Sequence, residues 1–363
     1  MNFPIRYGSF DQCCACSALS SNGEASTSDA QGRLWKLTVA LPGSFLANVQ
    51  TPELRAYVAG QVARALTIFG VDEVIVFAED GERQHGWTGN SAALLGRILQ
   101  YLECPQYLRK MLFPRSPDLR HAGLLNPLDA PHHPRRHEWL RYREGVIVPE
   151  RDGDGQRTAS LLAAVGLDQP VRLTRSPPLA VGTRVTVQLR RRSDTSANHA
   201  PPHRKRARRP SSCDMITEAT PVSPEAPRHA HGLYWGYRVR LADSLQHALE
   251  LSGCDVKIGT SDKGHNLFAT AHPGLPHAGL CRVPAGGFRH LLLAFGGVHG
   301  LEHCRPAGEP VCHLFDAYIN VCPQQGSRTI RTEEALLIAL SAMQPWIHHN
   351  GYRRGGAEIR EET

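Results

Sequence analysis

The sequence has no hydrophobic run long enough to cross a membrane. Its densest apolar stretch, at residues 291–295, is far shorter than the roughly 20 residues that a membrane-spanning helix needs. The first residues lack a hydrophobic segment followed by a small-residue cleavage site, which argues against a secretory signal. The 10 cysteines are scattered over 363 residues, a distribution typical of free thiols in a reducing compartment. These absences predict a soluble intracellular protein.

The short motifs of several common sites are also missing. No turn matches the GxGxxG fingerprint of dinucleotide-binding folds or the GxxxxGK(S/T) phosphate loop. The CCxC at residues 13–16 lacks the paired spacing of a structural zinc site. Three histidines in the Pro-rich loop 129–137 have no Cys or Glu at a ligand-like spacing. A solvated tail and a solvated loop are favoured over metal ligands, so the sequence predicts no metal site.

The charge of the chain is concentrated in one segment. Apolar residues make up 41% of the chain and charged residues 21%, as in ordinary globular proteins, and the length predicts about two domains. Segment 190–231 holds nine Arg or Lys and four Asp or Glu, which is five of the seven surplus positive charges. A basic field over the whole surface would favour nucleic acid as a partner. Here the surplus belongs mainly to one low-complexity stretch.

Strands and helices alternate in the first third of the chain. Thr51 is suited to cap a helix, Pro52 to occupy its first position, and Gly70 to end it. Buried-strand runs flank this helix on both sides, which is the pattern of a βαβ unit with a parallel sheet. The predicted elements are strands at 34–41 and 74–77 and helices at 51–70 and 91–102.

The pattern changes after about residue 123 and returns after about residue 241. Short strands separated by Pro, Gly and Asp turns are typical of a small β-barrel, and segment 190–231 is predicted to interrupt it as a disordered loop. The barrel strands are predicted at 145–148, 171–174, 183–189 and 237–240. The α/β elements that follow are predicted as helices at 241–251 and 332–343 and strands at 255–258, 290–295 and 314–319.

Three glycine-containing turns follow three of these later strands, at 259–264, 296–300 and 320–330. In open α/β sheets, ligands bind outside the carboxyl ends of the strands. One ligand in contact with all three turns is therefore a natural inference. Ordinary turns without a ligand are the alternative.

Three segments of the sequence resemble the motifs of a known class of proteins. Residues 61–76, in which Arg64 is followed by Gly70 and a buried strand, resemble the first motif of the SPOUT class of trefoil-knotted RNA methyltransferases. The Gly pair at 296–297 and the segment 323–335 resemble its second and third motifs. Five longer sequence segments are similar to conserved segments of a eukaryotic and archaeal SPOUT family, the 28S rRNA uridine-N3 methyltransferase type. These segments are LPGS at 41–44, QYLECPQYLR at 100–109, GLLNPLD at 123–129, GLYWGY at 232–237 and GSRTIRTEE at 326–334.

The resemblance implies a SPOUT trefoil-knotted parallel sheet with an inserted OB-like small β-barrel. It also implies S-adenosyl-L-methionine as cofactor, ribosomal RNA as partner, a homodimer, no membrane, and methylation of N3 of a uridine in large-subunit ribosomal RNA. The expected domains are a disordered tail 1–31, a first methyltransferase part 32–123, an OB-like insertion 124–236 that contains the loop 190–231, a second methyltransferase part 237–345, and a disordered tail 346–363.

Site residues follow from the resemblance position by position. Arg64 and Glu333 are the catalytic candidates. Arg64 would stabilise negative charge on the uracil, and a surface ion pair is its alternative role. Glu333 or its neighbour Glu334 would be a base, although two acids that open a helix more often stabilise its N-terminus. The cofactor-binding candidates are Thr260, Lys263, Gly297, Asn320, Gln325, Gly326, Thr329 and Ile330. Lys263 stands where the family carries Arg, whose donor geometry differs.

Alternative functions remain open in the sequence. One is a non-catalytic RNA-binding or scaffold protein that keeps the SPOUT fold, and another is a SPOUT enzyme that acts on tRNA or on a ribose 2′-OH. The wide apolar face of helix 332–343 favours a dimer, with burial inside one subunit as the alternative. The basic cluster 203–210 is typical of nuclear import signals and equally of a solvated linker. The expected location is the nucleus or nucleolus, with the cytoplasm as the alternative.

Overall fold

The computed structural model describes residues 32–79, 91–136, 138–152, 155–156, 159–191, 216–268, 284, 286–304 and 310–352. The chain divides into two units. The first unit includes Cys104–Pro114 and Pro131–Trp235, and the second includes Arg33–Glu103, Arg115–Ala130 and the chain from Gly236 onward. The predicted boundary between residues 123 and 124 is therefore wrong. Residues 104–114 belong to the inserted unit because Cys104 and Leu108 pack against Val146 in one apolar cluster.

Strands and helices are numbered along the chain. The strands are β1 (Lys36–Pro42), β2 (Glu73–Phe77), β3 (Tyr142–Val148), β4 (Arg151–Asp152), β5 (Gly155–Gln156), β6 (Ala159–Ser160), β7 (Leu162–Ala164), β8 (Val171–Arg172), β9 (Leu179–Ala180), β10 (Arg184–Arg191), β11 (Ile216–Val222), β12 (Arg238–Ala242), β13 (Val256–Asn266), β14 (His290–Ala294) and β15 (Ala317–Asn320). The helices are α1 (Pro52–Ile68), α2 (Ser91–Glu103), α3 (Gln106–Leu112), α4 (Ala226–His231), α5 (Leu245–Ser252) and α6 (Thr332–Asn350).

The second unit is built on a six-stranded sheet in the order β12-β2-β1-β14-β13-β15, in which all five pairings are parallel. The central strands are almost continuously buried, as expected for strands covered on both faces. A mixed α/β unit with a parallel sheet was predicted and is confirmed. The prediction of a barrel strand at 237–240 is wrong, because β12 pairs with β2 in this sheet, with Val239 opposite Val74.

Helix α1 connects β1 to β2 and follows the local signals of its sequence. The Thr51 hydroxyl accepts a hydrogen bond from the Leu54 N–H at 3.3 Å, and Pro52 opens the helix. Gly70 adopts a left-handed conformation with φ 63° just after the helix, where a residue with a β-carbon would be strained. The βαβ unit predicted for this region is confirmed.

Helix α6 runs beyond its predicted end. The predicted disordered tail begins at residue 346, but the helix continues to Asn350, so this prediction is wrong for residues 346–350. Trp346 and Ile347 are buried, and the Trp346 ring stacks on Phe288 with the ring centroids 5.9 Å apart. Burial of these apolar side chains holds the last turns in place despite Pro345 inside the helix. Residues 353–363 of the predicted tail lie outside the described residues.

The first unit contains a five-stranded antiparallel sheet in the order β11-β10-β3-β7-β8. Alternate side chains of these strands, among them Ile147, Val185 and Val187, form its apolar core. The two outer strands of the sheet approach each other, because the Thr174 N–H donates to the carbonyl oxygen of Ala219 at 2.9 Å. The sheet is thus curled, and the all-β character predicted for this region is confirmed.

The segment 190–231 is not one long loop. Strand β11 pairs with β10, and α4 ends at Gly232, which adopts a left-handed conformation with φ 63°. The prediction of a disordered loop is therefore wrong for residues 190–191 and 216–231. The sequence does not predict β11, because the strand lies next to a low-complexity basic stretch. Residues 192–215, with the basic cluster 203–210, and the tail 1–31 lie outside the described residues.

A buried carboxylate organises the first unit. The Glu144 side chain is 3% exposed and accepts hydrogen bonds from Arg184 Nε at 2.7 Å, Thr186 Oγ1 at 2.6 Å and Trp235 Nε1 at 2.6 Å. Three donors on one buried carboxylate compensate for the loss of its hydration. Glu144 therefore joins β3, β10 and the segment that ends this unit.

Candidate functional site

A cavity of about 250 Å³ lies at the carboxyl ends of β13, β14 and β15 in the second unit. The turns that follow these three strands line it, together with the first turns of α6. This is the edge of a parallel sheet at which α/β proteins bind ligands. The sequence predicted that these three turns converge, and the structure brings them together around one cavity.

Most of the predicted cofactor-binding residues line this cavity. They are Thr260, Lys263, Gly297, Asn320, Gln325, Thr329 and Ile330. Gly326 lies in the same turn but does not line the cavity, and a β-carbon built on it would meet nothing within 4 Å. Neither Arg64 nor Glu333 lines the cavity.

A bulge in β13 directs three polar residues into the cavity. Both Thr260 and His265 pair with Ile319 of β15, so the residues between them leave the regular pairing. Ser261, Asp262 and Lys263 come from this bulge and line the cavity. The sequence predicted a turn at 259–264. The structure has instead one strand interrupted by the bulge.

Hydrogen bonds connect the three turns to one another. The Thr260 hydroxyl donates to the Ala294 carbonyl oxygen at 2.9 Å, which links the ends of β13 and β14. The Asn320 side-chain amide donates to the Asp262 carbonyl oxygen at 2.8 Å, which links the end of β15 to the bulge. The Thr332 hydroxyl donates to the Gly296 carbonyl oxygen at 2.9 Å and attaches α6 to the turn after β14. These three hydrogen bonds therefore fix the strand ends and the start of α6 relative to one another around the cavity.

Two glycines permit a close approach of backbone to backbone at the cavity. A β-carbon built on Gly264 would lie 2.3 Å from the carbonyl carbon of Ile319. A β-carbon built on Gly296 would lie 2.4 Å from the carbonyl carbon of Gly300 and 2.4 Å from the nitrogen of Leu301. Neither position has room for a side chain unless the backbone moves.

Charged residues that were not predicted also line the cavity, namely Asp262, Glu302 and Arg328. Glu302 is the one among them that pairs with Lys263. Its carboxylate accepts a hydrogen bond from the Ser261 hydroxyl at 2.7 Å and lies 3.8 Å from the Lys263 ammonium. Burial raises the pKa of Glu302, but the hydrogen bonds from Ser261, its own backbone and Tyr318, with the charge of Lys263, together lower the pKa below its ordinary value. No motif marks Glu302 in the sequence, although it lies two residues after Gly300 in the second turn.

The structure places Arg64 on a backbone contact outside the cavity lining. The Arg64 side chain is half-buried, and its guanidinium donates a hydrogen bond to the carbonyl oxygen of Leu128. Val58 and Val62 of the same helix are buried, whereas Leu54 is 51% exposed. Arg64 is therefore not a simple surface ion pair, and its contact with Leu128 stabilises the helix α1 region.

The acids that open α6 lie at the helix start. The Glu334 carboxylate accepts a hydrogen bond from the Arg331 N–H at 2.9 Å, which is the backbone contact of a capping box. Glu333 lies in the same first turn, where a carboxylate is favoured by the helix dipole.

The predicted histidine loop is only partly solvated. His132 is buried, and the centroid of its ring lies 4.2 Å from that of His133 and 5.9 Å from that of Trp235. The prediction of a solvated loop is therefore wrong for His132. In the part of the chain that the structure describes, no three His, Cys, Asp or Glu side chains are placed to hold a metal ion. Within the same ranges, no helix is both long and apolar enough to span a membrane. The cysteine cluster at 13–16 lies outside the described residues.

A parallel α/β sheet with a cavity at its carboxyl edge is the architecture in which α/β proteins bind ligands. Comparison with known proteins defines the family. A family described as "Putative RNA methyltransferase" matches residues 36–343, and the chain belongs to this family. The similarity covers both units.

Named relatives are similar over most of the chain. A Mus musculus protein named 28S rRNA (uridine-N(3))-methyltransferase is 43% identical over 344 residues, which cover 89% of this chain and 80% of that protein. The Homo sapiens protein of the same name is 42% identical and covered to 83% by this chain. The Drosophila melanogaster protein of that name is 44% identical, and 61% of its length is covered.

Proposed function

We propose that this protein is an S-adenosyl-L-methionine-dependent RNA methyltransferase that methylates N3 of a uridine in large-subunit ribosomal RNA. The observation that carries the proposal is the cavity, because seven of the eight residues assigned to the cofactor line it. The names of relatives that are 42–44% identical over at least 85% of this chain support the substrate and the methylated atom.

The residues of the cavity fit a cofactor that has an aromatic base at one end and an amino acid at the other. Phe295, Ile330 and Ile338 provide apolar surface for adenine, whereas Lys263 and Glu302 provide opposite charges for the carboxylate and the ammonium. The volume of about 250 Å³ is near the ~300 Å³ at the lower end of ligand pockets. When bound, the cofactor supplies an electrophilic methyl group on a sulfonium. The protein has to bind and orient the two reactants, since positioning accounts for much of such a reaction.

We propose that the chain around this cavity forms the trefoil knot of the SPOUT class. The strand order supports it: β13 lies between β14 and β15, and the three turns after them meet at the cavity. We also propose that the first unit is an OB-like barrel. The curled five-stranded sheet, with its outer strands in contact through Thr174 and Ala219, supports that assignment.

We propose a homodimer in which Arg64 completes the active site of the partner protomer. Arg64 does not line the cavity of its own chain. The same helix carries three exposed apolar side chains: Leu54 at 51%, Tyr57 at 48% and Ile68 at 56%. Exposed apolar side chains on one helix are typical of an interaction surface. In that position Arg64 would stabilise the negative charge that develops on the uracil. For Glu333, the position in the first turn of α6 favours stabilisation of the helix N-terminus over a role as base.

We propose the nucleus, and the nucleolus in particular, as the location of the protein. Ribosomal RNA as substrate and the basic cluster 203–210 in the sequence support this location.

Methyl transfer by the purified protein tests the proposed function. The protein is incubated with isotope-labelled S-adenosylmethionine and either large-subunit ribosomal RNA or tRNA, and the RNA is then digested to nucleosides. Label in 3-methyluridine from ribosomal RNA is the expected result. Label only in tRNA or in 2′-O-methylated nucleosides would contradict the proposed substrate, and no label combined with no cofactor binding in calorimetry would contradict the enzyme assignment.

A further inference from the structure

Two polar side chains lie against Gly297, on the neighbouring strands of the sheet. Ser44 follows β1, and Glu79 follows β2. The Gly43 N–H donates to the Phe77 carbonyl oxygen at 2.9 Å and holds the ends of these two strands together. Ser44 and Glu79 are thus at the same carboxyl edge of the sheet as the cavity, beside the turn that follows β14.

Neither Ser44 nor Glu79 lines the cavity, but both side chains lie against Gly297, which does. A β-carbon built on Gly297 would lie 2.7 Å from Ser44 Oγ and 2.9 Å and 3.3 Å from the two carboxylate oxygens of Glu79. Gly297 itself lines the cavity. The hydroxyl and the carboxylate therefore converge on one point at the cavity wall.

The hydrogen bonding of the two groups leaves capacity for a ligand. Ser44 Oγ is buried, and among the described residues it has no hydrogen-bond partner. A buried hydroxyl without a partner is unfavourable, so the site favours a ligand that accepts its proton. Glu79 Oε1 accepts a hydrogen bond from the Cys304 thiol at 3.1 Å, which orients the carboxylate.

We propose that Ser44 and Glu79 form the uracil-binding subsite and that Glu79 is the base that removes the N3 proton. This inference rests on the proposed function. The edge of uracil at N3 presents an N–H donor between two carbonyl oxygens. A carboxylate matches the donor and a hydroxyl matches a neighbouring carbonyl oxygen. Cytosine has no proton at N3 and carries an amino group in place of one carbonyl, so the same pair disfavours it.

The chemical step follows from this pairing. The N3 proton passes to the Glu79 carboxylate, and the electron pair left on N3 forms a bond to the methyl carbon of S-adenosylmethionine. The bonding pair between that carbon and sulfur returns to sulfur, which leaves S-adenosylhomocysteine and 3-methyluridine. Glu79 then releases its proton to solvent.

Three other acids near the cavity, Asp262, Glu302 and Glu333, are less suited to this role. Asp262 lines the cavity but is exposed, and its carboxylate accepts a hydrogen bond from the Ser261 hydroxyl at 3.2 Å. Glu302 is held by Ser261 and Lys263, and its lowered pKa makes it a poor proton acceptor. Glu333 lies in the first turn of α6, where its charge stabilises the helix N-terminus. Glu79 combines a position beside the cavity wall with a hydrogen-bonding neighbour that orients it.

Glu79→Gln tests the inference, with Glu250→Gln as a control on an exposed acid of α5. Glu79→Gln is expected to bind S-adenosylmethionine within about twofold of wild type in calorimetry and to lose methyl transfer by ~10²–10⁴-fold, the usual contribution of a base. Glu250→Gln is expected to match wild type in both. Ser44→Ala is expected to lower kcat/KM for the RNA about tenfold, as for one hydrogen bond.

A more acidic substrate separates a base from a structural role. In RNA that carries 5-fluorouridine at the target, the N3 proton ionises more readily, so Glu79→Gln should recover most of its lost rate. Near wild-type transfer by Glu79→Gln, loss of cofactor binding, or loss of activity without this rescue would each overturn the inference. Failure of the wild-type protein to form 3-methyluridine would instead overturn the proposed function.

Discussion

The substitution Gly296→Ala tests whether the cavity holds the cofactor. The added methyl group would lie 2.4 Å from backbone atoms of Gly300 and Leu301, about 1 Å closer than the ~3.5–4.0 Å of a normal contact. Backbone cannot rotate away as a long side chain can, so the turn after β14 has to move. Overpacking of this kind costs ~1–3 kcal/mol.

That strain is expected to appear in cofactor affinity, because the displaced turn is part of the cavity wall. A cost of ~1–3 kcal/mol corresponds to an increase in Kd of roughly 5- to 150-fold, since every ~1.4 kcal/mol is tenfold. Isothermal titration with S-adenosylmethionine measures it. Gly123→Ala is the matched control, because its β-carbon meets nothing within 4 Å and Gly123 does not line the cavity, and we expect its Kd within about twofold of wild type. Wild-type affinity in Gly296→Ala, or an equal loss in Gly123→Ala, would refute the placement of the cofactor.

Substitutions at three further positions test the catalytic role of Arg64, the buried carboxylate of the first unit and the dimer. Arg64→Ala should lower turnover by ~10²–10³-fold with little change in cofactor Kd, and Arg64→Lys should recover little of it. Loss of the bond to Leu128 should also lower the free energy of unfolding of Arg64→Ala by ~1–2 kcal/mol, whereas near wild-type turnover would remove the catalytic role. Glu144→Gln removes the charge of a buried carboxylate that pairs with Arg184 and accepts two further hydrogen bonds, and it should destabilise the first unit by ~3–5 kcal/mol in urea denaturation followed by tryptophan fluorescence; an unchanged midpoint would contradict this. Tyr57→Glu should convert the expected dimer to a monomer in light scattering, and a monomeric wild type would contradict the dimer.

Local signals account for what the sequence predicts well. The cap at Thr51, the proline at position 52 and the glycine at position 70 act over one helical turn, so helix α1 needs no tertiary information. The turns around the cavity are predictable because their glycines follow buried strands and because their motifs resemble a known family. Seven of the eight residues predicted for the cofactor line one cavity, although their binding role stays a prediction.

Long-range packing accounts for what the sequence does not predict. Pro345 is a local signal to end a helix, but burial of Trp346 against Phe288 outweighs it. The sequence of residues 237–240 has the same pattern as the short strands of the first unit. Only its pairing with β2 shows that it belongs to the parallel sheet. Glu302 and Glu79 lie far from each other in the sequence and outside any motif, so their positions near the cavity become visible only when the strands are assembled.

Nucleoside mass spectrometry of large-subunit ribosomal RNA tests the central claim most directly. The RNA is purified from cells depleted of this protein, and from depleted cells that express either the wild-type chain or Arg64→Ala. We predict that 3-methyluridine falls on depletion, returns with the wild-type chain and does not return with Arg64→Ala, while 2′-O-methylated nucleosides stay constant. Unchanged 3-methyluridine, with loss of a different methylated nucleoside or of none, would contradict the assignment of uridine N3 as the methylated atom.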